Sequence, residues 1–149
     1  MFDSVREVAM TPQAAWDELV DWAGHSAWVP LTHVEVDPND PARFTAWSGP
    51  GAARWGRRLS LRDEMVAVEM TFNESRGRCR VHKLGPILVG FADLTVTPGS
   101  QVGHTRIQWH EEVHVKFLPR LFTVIVGKLS AALFRSALGR MERLAHRQH

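Results

Sequence analysis

The segment Thr105-Arg106-Ile107-Gln108-Trp109-His110-Glu111-Glu112-Val113-His114-Val115-Lys116-Phe117 decides the fold. Between His110 and His114 it carries the letters H-E-x-x-H, the spacing of a zinc-peptidase helix. On a helix, residues four apart share a face and both imidazoles can reach one ion. Here, however, Thr105, Ile107, Trp109, Val113, Val115 and Phe117 are apolar or β-branched at every second position. Period two marks a strand, in which positions four apart lie ~13 Å from each other. The segment is therefore read as a strand, and no metal is expected. The same phase turns Glu111 towards the core with Ile107, Trp109, Val113 and Val115, while His110 and His114 turn outwards. A buried carboxylate needs a partner or a polar task. Glu111 thus either sits at a bulge or pairs with a partner such as an arginine in a structural role, or is a polar anchor or acid/base group inside a pocket.

Working outward, short strands fill the middle of the chain. Residues 2–9 alternate loosely through Phe2, Val5 and Val8. Residues 32–36, 43–48, 65–72, 78–84, 87–97 and 103–116 read as further strands. Turn-forming clusters at 37–41, 49–51, 73–77, 85–86 and 98–100 separate most of them. Residues 52–60 show no clear period. Thr11 has the chemistry of an N-cap, Pro12 suits the first helical position, and Ala15, Trp16, Leu19 and Val20 recur at helical spacing. A helix is expected over residues 12–21. Residues 26–29 add one more turn before Pro30. From residue 119 to about 146 the signal is helical again, with Leu118, Leu121, Phe122, Ile125, Leu129, Ala132 and Leu133 in one stripe. The order is strand, helix, short helix, about six strands, long helix. This predicts an α+β fold in which a curved antiparallel sheet buries its apolar face under the final helix, the only element long enough to cover it.

Composition agrees and narrows the class. The chain has 149 residues, an ordinary length for the one domain expected over 1–149. It is 44% hydrophobic and 23% charged, a balance that argues against disorder. The single cysteine, Cys79, forbids an intramolecular disulfide and favours a reducing compartment, so a cytoplasmic location is expected. No apolar run approaches the ~20 residues of a membrane span. The charge is uneven: residues 119–149 hold six Lys or Arg against one acid, Glu142. That points first to a helix with a basic outer face, with contact to anionic lipid or nucleic acid as the sharper alternative.

Four stretches resemble one family. Thr11-Pro12-Gln13-Ala14-Ala15-Trp16-Asp17-Glu18-Leu19 is similar to the opening helix of the START-like (SRPBCC) superfamily, in its bacterial polyketide cyclase/dehydrase and lipid-transport branch. His25-Ser26-Ala27-Trp28-Val29-Pro30-Leu31-Thr32 resembles the tryptophan–proline segment that follows it. Asp63-Glu64-Met65-Val66 resembles the start of a family strand, and Val102 to Trp109 the glycine–threonine–tryptophan strand, with His104 inserted between Gly103 and Thr105. The resemblance implies the helix-grip fold: a seven-stranded antiparallel sheet wrapped around a long C-terminal helix, with a hydrophobic cavity between them. The family has no universal catalytic motif, so no catalytic residue carries over.

The aromatic content suits such a cavity, with six tryptophans and seven phenylalanines but no tyrosine. The expected function is to bind a hydrophobic or amphipathic small molecule, lipid or polyketide-like, with affinity from apolar burial. The expected wall is Trp28, Trp47, Met65, Trp109, Glu111, Phe122, Ile125 and Leu129, with Glu111 orienting a polar end of the ligand. The alternative is a cyclase or dehydratase in which Glu111 moves a proton, helped by a histidine such as His82. A third reading sets the basic helix against a membrane or partner surface. No cofactor and no nucleic-acid partner is expected, and the protein is expected as a monomer or homodimer.

Overall fold

A computed structural model of the protein describes residues 1–49, 52, 60–117 and 120–148, and of residues 120–130 only the Lys128 side chain. The unreadable stretch 52–60 falls almost wholly outside the described residues. The chain runs β1 (Phe2–Val8), α1 (Pro12–Val20), α2 (His25–Trp28), β2 (Thr32–Asp37), β3 (Asp40–Ser48), β4 (Leu61–Asn73), β5 (Arg76–Gly85), β6 (Leu88–Pro98), β7 (Thr105–Val115) and α3 (Arg120–Arg147). The seven strands form one sheet in the order β1-β7-β6-β5-β4-β3-β2. Each paired neighbour is antiparallel. α3 packs on the sheet, closest to β1. The α+β helix-grip architecture is therefore the observed one.

Local chemistry explains the elements. Thr11 caps α1 by accepting the Ala14 N–H at 3.3 Å, with Pro12 at the first position. The turn expected over residues 73–77 is tighter: Glu74 and Ser75 both take positive φ, the two-residue hairpin geometry that matches strand twist, so both strands run further. The turn at 37–41 shrinks in the same way, because β2 and β3 extend to Asp37 and from Asp40. A bulge between Val68 and Thr71, with Glu69 at φ 48°, bends β4 and adds to the curvature of the sheet. Gly77 is held against the Trp16 ring, where a Cβ would come to 2.3 Å. The inward set of β1 is Phe2, Ser4, Arg6 and Val8, while Val5 faces out, because strict alternation overrides the looser apolar spacing.

The core is continuous from α1 through the sheet to the C-terminal half of α3. Trp16, Leu19, Val8, Leu94, Val96, Ile107, Ala137, Leu138 and Met141 are all buried in it. Thr105 Oγ1 donates to the Met10 carbonyl at 2.7 Å, and the Ala9 N–H donates to Glu142 Oε1 at 2.8 Å, tying β7 and α3 to the β1–α1 connection.

Candidate functional site

Residues 105–115 form strand β7, so the helical geometry that the zinc motif requires is not there. Glu111 lies on the buried face and His114 is exposed. His110 sits on the outer face, where Nδ1 meets Asp3 Oδ1 at 2.7 Å and Nε2 meets Glu112 Oε1 at 3.3 Å. These carboxylates hold its pKa above the ordinary histidine value, the hydrogen bond to Asp3 most of all.

On the inner face, the end of the sheet away from α1 is not filled. A cavity of about 420 Å³ lies between the sheet, α2 and α3. Its walls are chiefly apolar: Trp22, Phe44, Met65, Trp109 and Phe134 contribute, with Val81 and Leu88 between them. Trp22 stacks on Phe44 at 4.8 Å, and Trp109 meets Phe134 at 4.4 Å with the ring planes tilted by 35°, so the rings brace each other rather than collapse into the space. Leu31 and Leu133 line it and are themselves more than half exposed, which marks its mouth.

Lys83, Glu111 and His25 bring ionisable groups to this surface, and Thr32 and Ser48 bring hydroxyls. Lys83 Nζ donates to Glu111 Oε1, and Trp109 Nε1 donates to Glu111 Oε2 at 2.8 Å. β5 and β7 hold the pair on the same face of the sheet with β6 between them, two residues apart in register, since Glu111 stands in line with Ala92 and Val81. His25, at the start of α2, places Nε2 2.8 Å from the Leu19 carbonyl. A carbonyl only accepts, so Nε2 carries the proton and Nδ1 is the bare acceptor. Burial among Trp22 and Trp28 pushes the His25 pKa down to about 4.

Of the expected wall, Met65, Trp109 and Glu111 line the cavity together. Trp28 does not: it is buried and packs on His25 at 4.4 Å, so it supports a lining residue. Trp47 does not either, because alternation on β3 turns Phe44 and Ala46 inward and leaves Trp47 beside His33 at 5.9 Å. The side chains of Phe122, Ile125 and Leu129 lie outside the described residues. His82 is exposed on the opposite face of β5 and cannot assist Glu111. Lys83 and His25 are additions that the sequence reading missed. The phase Cys79, Val81, Lys83 against Arg78, Arg80, His82 would have exposed the first. Nothing periodic marks the second. Cys79 is buried, and desolvation followed by the charge of Asp93 pushes its thiol up to about 12, which makes it a packing group rather than a nucleophile.

Among the described residues no helix is long and apolar enough to cross a membrane. The sequence profile of the family described as "Polyketide cyclase / dehydrase and lipid transport" matches residues 2–146. No curated protein matches. Among solved structures, the chain is similar to a START superfamily protein from Mycobacterium smegmatis, at 14% identity and a TM-score of 0.70, covering 99% of this chain and 97% of that one. It is also similar to a protein from Thermus thermophilus, at 16% identity and a TM-score of 0.65, covering 95% and 94%. A third likeness is to DynU16 from the dynemicin biosynthetic locus, at 15% identity and a TM-score of 0.52, covering 97% of this chain and 46% of that one. At these identities the structural likenesses speak to fold.

Proposed function

The chain belongs to the polyketide cyclase / dehydrase and lipid transport family of START-like proteins, and from that premise we propose that it binds a hydrophobic or amphipathic small molecule between its sheet and α3. The observation that carries this reading is the cavity itself. Its volume of about 420 Å³ falls in the range of small-molecule sites, roughly 300–1,000 Å³, which are mostly apolar with a few placed polar groups. Met65, Trp109 and Glu111 are its proposed contacts on the sheet, joined by Trp22, Phe44 and Lys83. Phe122, Ile125 and Leu129 are proposed on α3 from helical spacing, in the stripe that continues to the lining residue Leu133.

Acid/base catalysis by Glu111 fits the geometry less well. Both of its oxygens already accept hydrogen bonds, and the suggested partner His82 lies across the sheet. Native mass spectrometry of freshly purified protein tests the binding reading. The expected result is an added mass of one small apolar molecule, released on denaturation and lost in Trp109→Ala. Protein that neither carries nor takes up any such molecule would refute it.

A further inference from the structure

We propose that Lys83 receives the polar end of the guest, and that this end is an uncharged carbonyl oxygen rather than a carboxylate. This rests on the reading that the cavity holds a guest, and adds which chemistry it selects. Lys83 and Glu111 face the same apolar space, with side chains only 11% and 9% exposed. An ammonium has three donors and no acceptor. One donor goes to Glu111 Oε1, and among the described residues no other acceptor reaches Nζ. Glu111 is engaged on both oxygens, by Lys83 and by Trp109 Nε1. On this pair the hydrogen-bonding capacity left over is therefore donor capacity on Lys83, and the matching group on a guest that reaches it is an acceptor oxygen.

Charge decides which acceptor. Lys83 and Glu111 cancel, and the neutral His25 ring adds nothing. A ketone, ester or quinone oxygen leaves this buried pair at net zero. A carboxylate would bring an uncompensated negative charge into apolar surroundings, where such charges are strongly disfavoured. Glu111 then acts as a positioning residue: it holds Nζ in place and sets the charge that excludes anions.

The test is displacement of the neutral dye phenylnaphthylamine by methyl nonyl ketone and by decanoic acid, at about pH 8 where the acid is ionised. In the wild type the ketone should displace the dye roughly tenfold more tightly than the acid, the worth of one hydrogen bond together with an excluded charge. Glu111→Gln frees the charge on Lys83, so the ranking should invert in favour of decanoate. Lys83→Met with Glu111→Leu removes donor and charges together, and ketone affinity should fall roughly three- to tenfold while the dye still binds. A wild type that binds the dye but prefers decanoate overturns this proposal and leaves the cavity reading standing. So does a Glu111→Gln protein that keeps the original ranking. Should that variant fail to fold, undiminished ketone affinity in the double variant overturns it as well. A wild type that does not bind the dye removes both readings at once.

Discussion

One sheet and one helix make two unlike ends. Near α1, Leu94, Val96 and Ile107 of the sheet meet Leu138 and Met141 of α3, and all are essentially inaccessible. Toward α2, β4, β5 and β7 present Met65, Lys83, Trp109 and Glu111 to an open volume. Strand β7 passes from one regime to the other within a few residues, Ile107 being wholly buried and Glu111 standing at the cavity wall. What differs is the filler. The first end has aliphatic side chains buried together in one cluster, and a second helix, α1, packed against the sheet beside them. The other end has rigid rings that brace one another in pairs and a buried ion pair that forbids collapse, since closing over it would desolvate it further. Stability is concentrated at one end, and room for a guest is left at the other.

The largest effects should come from breaking the ion pair on one side. Lys83→Met alone leaves Glu111 buried and uncompensated and should cost ~3–5 kcal/mol in chemical denaturation, whereas Lys83→Met with Glu111→Leu should be close to neutral. Equal losses in the single and double variants would show that the pair is not the element propping the cavity. At the solid end, Leu138→Ala should cost ~2–5 kcal/mol through the void it leaves, yet leave dye affinity unchanged. A Leu138→Ala protein that folds stably but has lost binding would erase the distinction between the ends.

A pH effect is expected at the hollow end. Burial lowers the His25 pKa from 6.5 to about 4 in the folded protein, so the unfolded chain takes up the proton first. Stability should thus fall as pH drops from 6.5 towards 4, by on the order of 2 kcal/mol, and His25→Phe should flatten that part of a Tm-against-pH curve. Smallest of all, His110→Ala on the outer face of β7 should cost under ~1 kcal/mol, because its partners Asp3 and Glu112 are solvent-exposed.

Strand phase made much of this legible in the sequence. The alternation of residues 105–117 set aside the zinc letters and turned Glu111 inward, and the cap at Thr11 placed α1. Ring size is a poorer guide than phase: Trp47 is large, but Phe44 and Ala46 hold the inward positions of β3. Lys83 follows the same rule from the other side, a charged residue on the inward phase of β5 that polarity alone would assign to solvent. His25 and Trp28 obey no period. Their placement comes from how the single turn of α2 docks between sheet and α3, a tertiary fact that local spacing does not encode. The bulge at Glu69 is equally silent, since a glutamate in the left-handed region carries no local signature.

The central claim is that the space beneath α3 is a binding site rather than a packing defect. It is tested most directly by titrating phenylnaphthylamine into the wild type and into Ala46→Phe, whose added ring would occupy the cavity from β3. Saturable binding of one dye per chain is expected in the wild type, and its loss in a variant that melts no lower. Absent binding in the wild type, or equal binding in the filled variant, would contradict it.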